Sequence, residues 1–380
     1  MNKFLFFFSF LYFSFSSFAQ QEESSVKLLF LGDIMGHGPQ IRAAYNSHDK
    51  TYNYAPNYQY LKPLFTNADV TIGNLEVTLG VPPFKGYPQF SSPAALARDT
   101  KFAGIDVLVT ANNHSCDKRK KGVEKTIFIL DSLEISHTGT FINQKAKDSL
   151  SPLLIEKNGI KIALLSYTYG TNGIAVTPPN IVNLLNKKTI SKDVAQAKTH
   201  NPDQIIAFVH WGGEYQNRSN AYQKKWFSFL KEQGVNIVIG SHPHVVQPMK
   251  WNKEENSLVV YSLGNFVSNQ RKFPRDGGAL FELTLTKTDN KTNITNAQYM
   301  LTWVYKQKLA KTYEVGHSGT NYYVLPINSF EHAPAFFNKK SDYDQMMRYT
   351  RHARLLLEKN NQNITERKPL SDILYWLLWR

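Results

Sequence analysis

The sequence predicts an α/β protein whose working residues stand at one edge of a β-sheet. Short apolar runs of strand length alternate with amphipathic segments of helix length. Most of these runs stop at a glycine or alanine followed by a polar residue. Beyond Gly278 the pattern changes to alternating segments at 279–286 and 299–305, which read as an antiparallel pair.

Residues 26–31 are continuously apolar after a polar linker at 20–25, and they read as the first buried strand, ending at Gly32-Asp33-Ile34-Met35. Residues 40–66 are polar and tyrosine-rich, a helix and a loop closing near Phe65. The strand 68–72 ends at Gly73-Asn74-Leu75-Glu76. Residues 82–93 carry Pro, Gly and aromatics, the composition of an irregular surface loop. A helix over 94–102, a strand over 107–110 ending at Ala111-Asn112-Asn113-His114, and a helix over 122–133 follow. Asn158-Gly159 between 153–156 and 160–167 predicts a hairpin. Polar residues 186–200 predict a helix, and the strand 204–209 ends at His210-Trp211-Gly212-Gly213-Glu214-Tyr215. The helix 222–233 closes at Gly234. The strand 235–239 leads into Gly240-Ser241-His242-Pro243-His244, and the strand 258–262 into Leu263-Gly264-Asn265. Residues 341–359 predict a helix with a basic face (Arg348, Arg351, Arg354), and the apolar tail 370–380 is expected to pack onto the domain.

The segment at 240–248 is the centre of the reading. His242 and His244 are two apart, so an extended backbone would send both imidazoles to one side, where they can chelate a metal ion. Pro243 biases His242 toward that geometry. An isolated pair of this kind is usually two solvent-facing histidines. Here four upstream strand ends offer Asp33, Glu76, Asn113 and His210 in addition. Carboxylate, amide oxygen and imidazole together suit Mn, Fe or Zn rather than Ca or Mg. One or two such ions are expected, and two about 3.5–4 Å apart would clamp an attacking and a leaving oxygen. Asn74 and Asn265, each directly after a strand-end glycine, are the candidate substrate-binding residues.

The first three residues carry one Lys; a dozen mostly aromatic residues and Ser17-Phe18-Ala19 follow. This is the pattern of a secretory signal peptide over 1–19, so export to the periplasm or cell envelope is expected. The formal net charge of +14 suits an anionic partner. No basic stripe interleaved with stacking aromatics is visible, so nucleic acid is not expected. The single cysteine, Cys116, excludes an intramolecular disulfide and reads as a small buried side chain.

Gly-Asp-Ile-Met, Gly-Asn-Leu-Glu, Ala-Asn-Asn-His, His-Trp-Gly-Gly-Glu-Tyr, Gly-Ser-His-Pro-His-Val-Val-Gln-Pro and Tyr-Ser-Leu-Gly-Asn-Phe, in this order, resemble the CapA family. That family is associated with poly-γ-glutamate capsule synthesis and belongs to the calcineurin-like metallophosphoesterase superfamily. The resemblance implies a four-layer αββα sandwich over 26–285, with 286–380 as a C-terminal extension packing on it. It implies metal ligation by Asp33, Asn113, His210, His242 and His244, and proton donation by His114. Two positions depart from the superfamily pattern. Met35 stands where the first motif has a histidine. Asn74 stands where the bridging aspartate belongs, with Glu76 two residues on, and an amide lacks the charge to bridge two cations.

The resemblance implies an exported protein that makes, anchors or trims an anionic polymer such as poly-γ-glutamate. A hydrolytic site would use His114 as acid and Glu214 to position water or substrate. Membrane-bound capsule synthesis proteins are the partners this implies. The run Lys118-Arg119-Lys120-Lys121 would steer a polyanion, or is simply a solvated charge run. Two other readings stand beside this one: a phosphoesterase acting on a small phosphorylated envelope metabolite, and a non-catalytic polymer-binding scaffold with a degraded metal site.

Overall fold

The computed structural model describes residues 23–309 and 319–367. In chain order the principal strands are β1 (Ser24–Ile34), β2 (Val70–Leu75), β3 (Val107–Val109), β4 (Ser136–Thr138), β5 (Leu153–Lys157), β6 (Ile160–Thr168), β7 (Gln204–His210), β8 (Ile237–Ser241), β9 (Met249–Asn252), β10 (Ser257–Val260), β11 (Asn265–Val267), β12 (Gly277–Thr288), β13 (Lys291–Lys308), β14 (Thr320–Pro326) and β15 (Thr365–Glu366). They form two sheets. One runs β14-β13-β12-β1-β2-β3-β4, with β11 beside β1 and β15 beside β13; the other runs β5-β6-β7-β8-β10-β9. The longer helices are α1 (Ala95–Phe102), α2 (Arg119–Ser132), α3 (Lys187–Thr199), α4 (Ala221–Glu232) and α5 (Lys340–Asn360).

Side-chain alternation gives each strand two faces, and the buried clusters show what each face meets. Val26, Leu28 and Phe30 of β1 join Ile162 and Leu164 of β6, Phe208 of β7 and Ile239 of β8 in a core between the sheets. Leu29 and Leu31 point the other way, into a core with Leu96 of α1 and Leu130 of α2. Leu165 and Val209 of the second sheet pack outward on Ile190 and Val194 of α3 and Leu230 of α4. The layers are therefore helix, sheet, sheet, helix, the four-layer sandwich expected from the resemblance.

β1, β2, β3 and β4 are mutually parallel, as are β6, β7, β8 and β10. Parallel strands share one C-terminal edge, and register fixes what meets there. Asp33 lies beside Asn74 on one flank and Asn265 on the other. His210 lies beside Thr168 and Ser241.

The antiparallel pair after Gly278 is present, with Ala279 opposite Leu301 and Thr286 opposite Asn293. Because β12 also pairs with β1, this late part of the chain completes the first sheet. α5 sinks Met346, Tyr349, Ala353 and Leu357 into the intersheet core. The segment 1–19 and the tail 370–380 lie outside the described residues. Among the described residues no helix is long and apolar enough to cross a membrane.

Arg354, on the basic face of α5, is paired. Its guanidinium lies 2.6 Å from Glu331 and 2.7 Å from Glu366. Arg354→Met leaves two carboxylates facing each other, and urea denaturation at neutral pH is expected to show a loss of about 2 kcal/mol. The hydrogen bond from Arg354 holds the Glu331 carboxyl below its ordinary value. A depressed folded pKa contributes stability above the ordinary glutamate value of ~4.3, and that stability is lost as pH falls through the lower folded value. The wild-type advantage should therefore close as Glu331 protonates. An advantage that persisted in strong acid would point to lost packing instead.

Candidate metal centre

The shared edge of the two sheets gathers Asp33, Asn74, Glu76, Asn113, His114, His210, His242, His244 and Asn265, all buried. β1 delivers Asp33, whose N–H donates to the Gly264 carbonyl at 3.0 Å. Asn74 at the end of β2 donates from Nδ2 to Asp33 Oδ1 at 2.8 Å. Glu76 is held against β1 because its N–H donates to the Ile34 carbonyl at 3.0 Å. β7 delivers His210, with Nε2 2.8 Å from Asn113 Oδ1 and Nδ1 2.8 Å from Ser241 Oγ. The amide oxygen of Asn113 can only accept, so in this arrangement Nε2 of His210 carries the proton.

The two histidines after β8 reach the site differently from the extended route the sequence implied. His242 has φ 98° and His244 φ 57°, both left-handed. The chain must double back after Ser241 so that Val246 can bridge to Leu263, and an extended segment would overshoot. Each histidine consequently serves its own group, with ring centroids 6.1 Å apart. Ligand atoms of Glu76, His210 and His242 lie within 4.8 Å of one another, and so do those of Asp33, Glu76 and His244. Glu76 belongs to both groups. The side chain that follows Asn74 by two residues is thus the carboxylate shared by the two groups.

Electrostatics separate the members. Burial and the charge of Asp33 push the Glu76 carboxyl well above its ordinary value. Burial opposes ionisation of Asp33 too, but His244 hydrogen-bonds to it and the net displacement is downward. Burial works against the imidazolium of His244, yet the carboxylates of Glu76 and Asp33 more than offset it and lift it to about 9. Burial pushes His210 down to about 3 and His242 well below its ordinary value, leaving both neutral. Neutral imidazole is the form that ligates a metal.

The residues fit a cation on an independent observation. Both carboxylate oxygens of Glu76 and Nδ1 of His242 are buried without a hydrogen-bond partner. Buried polar atoms are nearly always satisfied, and a carboxylate more than most. Divalent cations held by the two groups that contain Glu76 and His242 would supply the missing partners.

The remaining expected residues fall around this cluster. His114 Nδ1 is 2.7 Å from Asp117 Oδ2, and its ring meets the Phe90 ring edge-to-face at 4.6 Å. Asp117 Oδ2 also accepts from the Phe90 N–H at 2.6 Å. The end of the 82–93 segment is therefore buried rather than a surface loop: Phe90, Ser91 and Ser92 are inside, and Ser91–Ser92 pairs with Thr78–Leu79. The physical reason is that His114 and Asp117 need an apolar and a donor neighbour. Asn74 and Asn265 have their amides committed inside the site. Asn265 accepts at 3.1 Å from His244 Nδ1 and donates at 2.8 Å to the Arg275 carbonyl. Glu214 is exposed, outside the buried cluster. Arg119, Lys120 and Lys121 are exposed, at the start of α2. Cys116 is buried, and burial pushes its thiol up to about 11.

Sequence reading missed several neighbours. Asn112 donates to Asn74 Oδ1 at 3.2 Å and to the Leu75 carbonyl at 2.7 Å, tying β2 to the loop after β3. Tyr169 covers His242 at 4.6 Å between ring centroids. Asn112 was legible beside Asn113. Nothing in the sequence marked Tyr169, which follows a strand with no glycine.

The fold and site define an αββα sandwich with a candidate dinuclear metal centre at the shared edge of its sheets. The chain belongs to the family described as bacterial capsule synthesis protein PGA_cap, whose model matches residues 27–270. It is similar to the capsule biosynthesis protein CapA of Bacillus anthracis, 27% identical over 285 residues, which cover 72% of this chain and 67% of that protein. It is also similar to the PGA biosynthesis protein CapA of Bacillus subtilis, 29% identical over 240 residues, 60% of this chain and 61% of that protein. The chain thus spans about two-thirds of the length of these relatives. Among solved structures, the calcineurin-like phosphoesterase YfkN of Bacillus subtilis is similar at 13% identity and TM-score 0.45, covering 87% of this chain and all of that one. The NAD nucleotidase NadN of Haemophilus influenzae is similar at 11% identity and TM-score 0.47, covering 94% of this chain and 66% of that one.

Proposed function

We propose that this chain is an exported hydrolase of capsule biosynthesis, acting in the periplasm or cell envelope on an anionic polymer such as poly-γ-glutamate at a centre of Mn, Fe or Zn. The observation that carries the reading is Glu76, a buried carboxylate common to two ligand groups, with neither oxygen hydrogen-bonded and the imidazoles of His210 and His244 3.4 and 3.8 Å away. Ions held there would supply Lewis-acid polarisation of the scissile carbonyl or phosphoryl oxygen. The chain's own residues do the rest. Asp117 holds His114 Nδ1 at 2.7 Å, which leaves Nε2 as the nitrogen that delivers a proton to the leaving group. Ser241 orients His210 through Nδ1, so Nε2, which meets Asn113 in the metal-free chain, is the nitrogen that would turn to an ion, and Asn265 fixes His244. Tyr169 covers His242 and limits access of water. Membrane-bound synthesis proteins are the partners that capsule assembly would supply.

The test is elemental analysis of the purified protein, followed by assay against γ-glutamyl polymers and phosphoesters. About two transition-metal ions per chain, falling by at least one in His242→Ala/His244→Ala, are expected. Chain shortening of the polymer should then depend on His114. Turnover of small phosphoesters alone would favour the phosphorylated-metabolite reading, and a folded protein that takes up no metal would refute the hydrolase.

A further inference from the structure

The outer face of the first sheet carries a second feature beside the metal centre. Val304, Lys306 and Lys308 alternate onto one face of β13, so the two lysines stand about 7 Å apart along the strand. Val304 packs with Tyr322 and with Ala43, a residue of the short helix Gly38–Ala44, and the neighbouring residue of that helix, Arg42, is exposed toward the same group. Tyr322 lies opposite Lys306 in register. Lys306 Nζ donates to Asn269 Oδ1 at 3.2 Å, and Tyr322 OH donates to the same oxygen at 2.5 Å. The Asn269 N–H in turn lies 3.3 Å from His37 Nδ1, four residues past Asp33. His37 meets the Phe90 ring edge-to-face at 5.1 Å and Phe90 meets His114 at 4.6 Å, so contacts lead from this patch to His114.

Among the described residues, Arg42, Lys306 and Lys308 form no ion pair. Burial and the charges of Arg271, Arg42 and Lys308 hold the Lys306 ammonium below its ordinary value, as expected for cations gathered without counter-charge. Like charges brought together without an acid raise the free energy of the free protein, and an anion that binds across them relieves it.

We propose that Arg42, Lys306 and Lys308 form a subsite for successive carboxylates of a linear polyanion whose scissile unit lies at the metal centre. The proposal rests on the polymer reading above. Spaced point charges along a strand match a repeated anionic chain better than a single compact anion.

Fluorescence anisotropy with a labelled γ-linked glutamate oligomer on the metal-free full chain tests it. Arg42→Gln/Lys306→Gln/Lys308→Gln should weaken binding at least about tenfold and flatten its salt dependence. Arg119→Gln/Lys120→Gln/Lys121→Gln should leave binding within about twofold of wild type. Lys306→Arg in the otherwise native chain should retain binding, and thermal melts should show every variant folded. Unchanged binding by the first triple variant, equal loss in the second, a preference for polyphosphate of equal charge, or no binding by wild type would each overturn the proposal. The readout needs neither metal nor turnover. Binding that tracks these residues in a protein without hydrolytic activity would refute the hydrolase and leave the subsite standing.

Discussion

Glu76→Gln is expected to abolish stable metal binding and, in the metal-free protein, to raise stability. The two effects share one cause. The side chain is fully buried and neither oxygen has a hydrogen-bond partner, so the free protein carries an acid that is incompletely satisfied. Glutamine keeps the volume and removes the ionisable group. Without metal, the variant should be more stable than wild type by about 1–3 kcal/mol in urea at neutral pH. With metal the order should reverse. Glu76 is the one residue common to both ligand groups, so its loss removes a charged ligand from each. Metal affinity should fall by more than about 100-fold, beyond the range typical of residues that merely support a ligand. The paired measurement is a thermal melt with and without a chelator. Wild type should lose stability on chelation, because an ion that binds only the folded state stabilises it by mass action. The variant should not respond. A variant that melts like wild type in both conditions would remove Glu76 from the centre.

This expectation also shows where the sequence was informative. The α/β class followed from strand-length apolar runs and their helical spacers, because burial on two faces dictates both length and composition, whereas the four-layer order was implied by the family resemblance. The convergence of Asp33, Asn74 and His210 at one edge followed from the same runs, since parallel strands end together. Whether Glu76 takes the place of Asn74 was open in the sequence; distance puts Glu76 in both candidate ligand groups. The path of His242 and His244 was not legible. Pro243 argued for extension, whereas the return of the chain to pair Val246 with Leu263 imposed two left-handed residues. That demand comes from an isolated bridge to a residue some twenty positions away. Phe90 was misplaced for a similar reason: Pro, Gly and aromatic content describes a loop, and only the neighbours His114 and Asp117 make its last residues core. The cationic patch shows the complementary case. Lys306 and Lys308 are legible as alternating residues of one strand, but Arg42 joins them only through a helix more than 250 positions earlier.

Gly32→Ala is expected to be among the most damaging single-methyl additions in this chain. Gly32 precedes Asp33 where β1 passes the turn at Leu263-Gly264. A Cβ built on Gly32 would lie 2.0 Å from the Gly264 carbonyl oxygen and 3.0 Å from its carbon. Neither atom belongs to a flexible side chain, so backbone must move. The same oxygen accepts the Asp33 N–H at 3.0 Å, and the following residue is Asn265, which holds His244. Any shift that relieves the clash therefore displaces a ligand and the residue orienting another. Overpacking in a rigid core costs about 1–3 kcal/mol, and loss of the buried backbone hydrogen bond adds about 1–3 more. Denaturation in urea should show a loss of about 3 kcal/mol or more, and metal affinity should fall with it. Gly170→Ala is the matched control, since a Cβ there meets nothing within 4 Å. It should change stability by less than about 0.5 kcal/mol. If Gly32→Ala were as silent as Gly170→Ala, the close approach of β1 to Gly264 would not exist in solution, and the placement of Asp33 beside Asn265 would fail with it.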